Sequence, residues 1–266
     1  MKIATFNVNS VRARLESLNF WLKKASPDVL LLQELKCVNE AFPYAFFEDF
    51  GYSCKIFGQK TYNGVAILAK TSIEDVTAGL PSFSEDLNAR YIEAVIGGTI
   101  RVASLYIPNG GPAVGELSYI YKINFIEKLS EHFLKINTYD EAIFIGGDYN
   151  ITSDNLDVYD EKKWHEHVCC TAQEREVFRN LRGDSFFDVY DAFSQKKGEN
   201  YKKLQKKRPF TWWDYRSGSF AKNLGLRLDF FLTNKKGLDL VKDIAVDTTP
   251  RGRPKPSDHA PVILWI

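Results

Sequence analysis

Residues 141–150 read EAIFIGGDYN, and the reading of that stretch decides the fold. Ala142 to Ile145 form a short apolar run, consistent with a buried strand. The run passes through Gly146 and Gly147 straight into Asp148 and Asn150. By themselves Gly, Asp and Asn would also suit a turn. The strand reading gains from repetition along the chain. KIATFNV (2–8) reaches Asn7, and DVLLLQE (28–34) ends on Glu34. RVASLYI (101–107) carries Tyr106, with Asn109 just beyond. LRLDFFL (226–232) holds Asp229, and APVILWI (260–266) follows Asp258 and His259. GVAILAK (64–70) and YIEAVI (91–96) are further short strands. Six apolar strands therefore deliver polar groups at or near one end.

Helical periodicity lies between them. In SVRARLESLNFWLKKASPDV (10–29), Val11, Leu15, Leu18 and Leu22 recur at helical spacing, with Ser10 as the expected N-cap and Pro27 as the stop. ELSYIYKINFIEKLSEHFLKI (116–136) is a long amphipathic helix with Tyr119, Ile123, Ile126 and Phe133 on one face. EREVFRNLRG (174–183) is a helix closed by Gly183. Helices and strands alternate without a strict βαβ rhythm, so the expectation is an α/β fold of two packed sheets with helices outside. With 44% hydrophobic residues and no low-complexity linker, residues 1–266 are expected to form a single domain. The lysine-rich KKGENYKKLQKKRP (196–209) reads as a solvated loop.

Composition narrows the function classes. The net charge is +1, so a nucleic-acid partner would have to be held by a local patch. The apolar stretch of MKIATFNVNS is too short and too interrupted for a signal peptide to be expected, and no run is long enough to span a membrane. Cys37, Cys54, Cys169 and Cys170 follow no zinc spacing and read as free thiols of a cytoplasmic protein. His165 and His167 in WHEHVCC (164–170) are too few for a zinc site.

If the polar strand ends meet, they line one cleft with four carboxylates, amides, a tyrosine and a histidine. Glu34 suits Mg²⁺, or Mn²⁺ in its place, because hard cations prefer carboxylate oxygen. Such an ion polarises a phosphoryl oxygen. Asp148 would orient and deprotonate an attacking water, with Asn7 and Asn150 donating to phosphate or to Asp148. His259, paired with Asp229, would hold a proton and stabilise a pentacovalent phosphate. Taken singly, each has a plainer alternative: Asn7 as a strand-end hydrogen bonder, Glu34 as a surface ion pair, Asp258-His259 as a structural cap. Asp229 in an apolar strand is harder to explain so, because a buried carboxylate is costly unless paired.

At these residues the sequence resembles the exonuclease III type of AP endonucleases, in the endonuclease/exonuclease/phosphatase superfamily. FNVNSVRAR, PDVLLLQELK, NGVAIL, GGDYNI, FTWWDYRS, GLRLDFFL and KPSDHAPV occur in the family's order. The resemblance implies a four-layer α/β sandwich of two packed mixed β-sheets flanked by helices. It makes Glu34 the principal metal ligand, with Asn7, Asn9 and Asp258 around the ion. Tyr106, Asp148, Asn150, Asp229 and His259 become the catalytic group; whether Asp148 or His259 is the base turns on geometry and pKa. Trp212, with Phe210 and Leu226, would wall a pocket for a bare sugar. Asn109 and Arg90 would contact DNA, and Lys36, Arg216, Lys222 and Arg227 would supply phosphate contacts.

The implied activity is Mg²⁺-dependent cleavage 5′ to abasic sites in double-stranded DNA, with 3′-5′ exonuclease and 3′-phosphatase activity at 3′ ends, by a monomer. Two positions depart from the pattern. Pro112 lies where some relatives insert a basic side chain into the duplex, and Leu226 where some have Trp. Alternatives are a mainly exonucleolytic member, or a superfamily phosphodiesterase acting on lipids, inositol phosphates or RNA. A non-catalytic DNA-binding module would be expected to have lost part of the acid set, and Glu34, Asp148, Asp229, Asp258 and His259 are all present.

Overall fold

A computed structural model describes residues 1–196 and 208–266. Most of the lysine-rich stretch expected to be a solvated loop therefore lies outside the described residues. One six-stranded sheet runs β11 (Asp243–Val246), β12 (Val262–Trp265), β1 (Lys2–Asn7), β2 (Val29–Gln33), β4 (Val65–Ala69), β3 (Ser53–Phe57). The other runs β5 (Ile73–Ala78), β6 (Tyr91–Ile96), β7 (Ile100–Tyr106), β8 (Ala142–Asp148), β10 (Asp229–Thr233), β9 (Phe187–Asp188). Each sheet is antiparallel except for one central parallel pair, β1/β2 and β7/β8. A parallel pair needs a crossover, and a helix supplies each: α1 (Leu15–Ala25) and α3 (Leu117–Ile136).

The side-chain alternation of these strands builds four layers. Ile3, Leu31 and Ile67 of one sheet pack on Ala94, Val102, Phe144 and Phe231 of the other, forming the core between the sheets. Leu18, Trp21 and Leu22 of α1 cover the outer face of the first sheet over Phe6 and Leu30. Ile126, Leu129 and Phe133 of α3, with Phe178 of α5 (Ala172–Arg182), cover the second over Ile143 and Ile145. The expected sandwich of two mixed sheets flanked by helices is thus the observed fold. Gly146 lies within β8 and not in a turn, and the sheets need it. A Cβ there would come within 2.5 Å of Phe231 and 2.8 Å of Leu31.

All eight strands expected from apolar runs are present. The four that were not expected, β3, β5, β9 and β11, are the four sheet edges. Edge strands are partly solvated, so β3 and β5 have no fully buried position and carry no apolar run. The start of the first helix also differs. Ser10 has a φ of 83° and caps nothing; a 3₁₀ turn (Arg12–Arg14) intervenes before α1. By contrast Gly183 does close α5, whose N-terminus carries a capping box between Thr171 and Glu174.

Candidate active site

The two parallel pairs end at the same level, and their carboxyl ends face one another. Register sets Tyr106 and Asp229 on either side of Asp148, across β7, β8 and β10. Asn7 lies at the end of β1 in register with Gln33 of β2, so Glu34 follows at the adjacent strand end. Below this level a buried polar layer ties the sheets together. Gln33 Nε2 donates to Thr5 Oγ1 at 3.0 Å and to Ser104 Oγ at 2.9 Å. Several polar residues that follow the strands adopt left-handed backbone: Asn9 (φ 44°), Glu34 (52°), Lys36 (54°) and Asn150 (50°). Such conformations are costly for residues with side chains and persist where surroundings enforce them.

Asn7 joins the sheets chemically. Its amide nitrogen donates to Glu34 Oε1 at 2.8 Å and to Asp148 Oδ2 at 2.9 Å. Its oxygen accepts from the Asn9 backbone N–H. Asn7, expected beside a metal, turns its N–H groups to the two acids and orients their carboxylates. Asp148 accepts from the Asn150 N–H at 2.9 Å and faces His259 Nε2 at 3.6 Å. His259 Nδ1 lies 2.8 Å from Asp229 Oδ2. Asp229 Oδ1 is buried and has no hydrogen-bond partner among the described residues.

These contacts set the protonation states. Burial raises the Asp148 pKa to about 7; the Asp229 and Glu34 charges add to the rise, while His259 and Asn7 work against it. Burial disfavours a charged His259, but the Asp229 and Asp148 carboxylates outweigh it and hold its pKa up at about 10. His259 is therefore an imidazolium at neutral pH. The Tyr106 phenol is held protonated by burial and by the nearby Glu34 and Asp148 charges.

The donor set fits a hard divalent cation. Ligand atoms of Glu34, Asp148 and His259 lie within 4.8 Å of one another. His259 Nδ1 is engaged by Asp229, and the hard donors on offer are the carboxylate oxygens of Glu34 and Asp148. Glu34 Oε2 and Asn9 Oδ1 both turn to the Lys36 ammonium, at 2.8 and 2.5 Å, so two oxygens already converge on positive charge. Asp258 lies one step away. Its oxygens accept from Asn9 Nδ2 at 2.9 Å and from the Trp212 indole at 3.0 Å.

These groups form the floor of a cleft of about 480 Å³, whose lining also includes Asn109, Pro112, Trp212, Arg216 and Leu226. Phe210 does not join that wall; it packs under the loop with Trp213 and Ala260. Arg90 lies over the Tyr106 ring at 5.0 Å, with Nε and Nη1 buried and without a hydrogen-bond partner among the described residues. Arg216 and Lys222 are exposed. Arg227 requires a correction. It is 3% exposed and bonded to Asp157 at 2.6 Å and Asp188 at 2.7 Å, so it braces the fold and does not face a duplex. Trp164 and His167 line the cleft and were not expected to. Trp164 stands edge-on to Trp212, centroids 6.3 Å apart, and edge-on to His167 at 5.8 Å. The only sequence signal for them was the aromatic-imidazole cluster in WHEHVCC.

A sequence profile of the endonuclease/exonuclease/phosphatase family matches residues 4–259. The chain is 33% identical to exodeoxyribonuclease III of Haemophilus influenzae, over 98% of each. Its fold matches a 3′ phosphatase from Neisseria bound to a product DNA hairpin, with a TM-score of 0.90 and 36% identity over 100% of this chain and 99% of that one. An AP endonuclease from Archaeoglobus fulgidus matches with a TM-score of 0.89 and 35% identity, over 100% and 99%.

Proposed function

The chain belongs to the endonuclease/exonuclease/phosphatase family, as a hydrolase of its exodeoxyribonuclease III type, and on that premise we propose that it is a DNA-repair nuclease acting on abasic sites and 3′ ends of duplex DNA. It hydrolyses the phosphodiester 5′ to an abasic site and trims 3′ ends as a 3′-5′ exonuclease and 3′-phosphatase. One observation carries this reading. Asp148 lies between Glu34 and the Asp229–His259 pair, on the floor of a cleft walled by Trp212 and Leu226.

Asp148, held by the Asn7 and Asn150 N–H groups, takes the proton of the attacking water. His259 carries the opposite role. Its Nε2–H donates to a phosphate oxygen, and Asp229 keeps the ring charged as negative charge builds there. The Tyr106 hydroxyl, kept protonated, is a second donor to that phosphate. Mg²⁺, or Mn²⁺ in its place, would be held at Glu34 beside Asn9 and Asp258, and when bound would polarise the phosphoryl oxygen and neutralise charge. Trp212 and Leu226 form an apolar wall suited to a sugar without a base, which costs least to extrude. Arg90, Asn109, Arg216 and Lys222 track the phosphates, which set register without reading sequence.

Residues 1–266 act as one catalytic unit, a monomer of the cytoplasm. No described helix is long and apolar enough to cross a membrane. A second reading, in which 3′-end trimming dominates, is favoured by Pro112 in the cleft lining: it presents no long side chain to wedge between base pairs. The test uses a labelled duplex with one tetrahydrofuran abasic analogue and an intact duplex with a recessed 3′ end. Each is incubated with Mg²⁺, with EDTA, and with Asp148→Asn. Mg²⁺-dependent incision 5′ to the analogue, lost in the variant, is the expected result. Trimming without incision selects the second reading, and neither product would overturn both.

A further inference from the structure

Behind the catalytic loops lies a buried ion pair that the proposed chemistry does not use. Lys122 of α3 and Glu174 of α5 both have fully buried side chains, 2.5 Å apart. Burying two charges is expensive, and an apolar pair of similar volume is often at least as stable. Stability alone therefore does not account for Lys122. Its surroundings suggest another role. The ammonium donates to the Asn150 carbonyl at 2.6 Å and to the Asn109 carbonyl at 3.2 Å. Its three hydrogens are thus assigned to Glu174 and to the two loops that leave the parallel strands β7 and β8.

Asn150 needs such a tie. It sits at φ 50°, its N–H donates to Asp148 Oδ1, and its side-chain amide donates to the Ile107 carbonyl at 2.9 Å. The carbonyl that Lys122 holds and the N–H that meets Asp148 lie in the two peptide units flanking the Asn150 Cα, so a shift of the Asn150 backbone would move the hydrogen bond that aims the Asp148 carboxylate. The neighbouring backbone also makes room for the lysine: a Cβ on Gly110 would approach Lys122 Cδ to 3.0 Å. Glu174 in turn is fixed by the Cys169 and Thr171 backbone N–H groups, each at 3.0 Å.

We propose that Lys122, held by Glu174, is a positioning residue that locks the Asn150 backbone and through it aims Asp148. The inference rests on the nuclease reading for its kinetic readout. Lys122→Met alone would strand the Glu174 charge, so the charge-free pair Lys122→Met with Glu174→Gln is measured beside it. For the pair on abasic or 3′-recessed duplex, kcat should fall about 100-fold, the scale of a small misplacement of a catalytic group, with KM little changed. Amide hydrogen exchange at Asn150 should accelerate while the amides of β8 keep their protection.

An unchanged kcat in the charge-free pair would overturn the proposal. So would exchange that accelerates equally throughout β8, which a merely structural role predicts. If the wild-type protein hydrolyses no DNA substrate, the nuclease reading falls, and the exchange measurement alone decides on Lys122.

Discussion

Replacing Asp229 by Asn tests the electrostatic core of the proposed mechanism while changing few atoms. Asp229 is the largest favourable contributor to holding the His259 pKa up, from an ordinary 6.5 to about 10. That difference corresponds to roughly 5 kcal/mol of preference for the charged ring, shared among Asp229, Asp148 and Asp258. Burial opposes the charged form throughout, so without the Asp229 charge the ring should lose most of its protonation near neutral pH. A neutral imidazole is a weaker donor to a developing oxyanion, and losing one such donor costs about 10²–10³ in kcat. The direction in pH follows. The charged form is lost as pH rises through the folded-state pKa, so the alkaline limb of the rate profile should move down towards neutrality. Activity should then recover partly as pH is lowered, until protonation of Asp148 intervenes. The assay is a pH profile of kcat and kcat/KM for wild type and variant, with the His259 ring titrated by NMR. A variant that keeps the wild-type alkaline limb and a kcat within about threefold would refute the imidazolium role.

Other outcomes follow from the same contacts. Asp148→Asn should abolish hydrolysis yet raise the stability of the metal-free protein by about 1–2 kcal/mol, because it removes a buried carboxylate crowded by Asp229 and Glu34; thermal unfolding in EDTA measures it. Arg227→Met should destabilise by about 3–5 kcal/mol by removing the arginine paired with Asp188 and one of the two paired with Asp157, whereas Lys222→Ala should leave stability alone and flatten the salt dependence of DNA binding. Burial pushes the Asp157 pKa up, but Arg227 and Arg208 outweigh it and hold it below the ordinary value. The resulting stability is complete above the ordinary carboxylate range and lost as pH falls through the depressed pKa. Urea unfolding across the acid range should show that loss in wild type and not in an Asp157→Asn, Arg227→Met double variant. Mg²⁺ should raise the unfolding temperature in a concentration-dependent way, and Glu34→Gln should remove most of that shift.

The residues at the strand ends were legible because strand signals are local. An apolar run must stop where a buried polar group would lack a partner, so Asn7, Glu34, Tyr106, Asp148 and Asp229 stand out against their own neighbours. The central strands were legible for the same reason, being buried on both faces. An edge strand such as Ile73–Ala78 was not, since none of its side chains is fully buried. Ser10 misled because a cap is defined by backbone conformation, and the chain there turns left-handed towards Glu34, whose carbonyl accepts the Ser10 N–H at 2.8 Å.

What the sequence determined by itself was therefore the set of strands in the sheet interiors, the long helix, and the acids and amides at the strand ends. Only the tertiary structure decided which charges serve the cleft and which brace the fold. Arg227 and Lys222 are both cations near one aromatic loop, yet one is buried on Asp157 and Asp188 and the other is exposed. Lys122 reads as one more lysine on a helix until Asn109, Asn150 and Glu174 close around it. The physical reason is common to both: burial and pairing depend on partners tens of residues away in the chain, and no local pattern encodes which of them will meet.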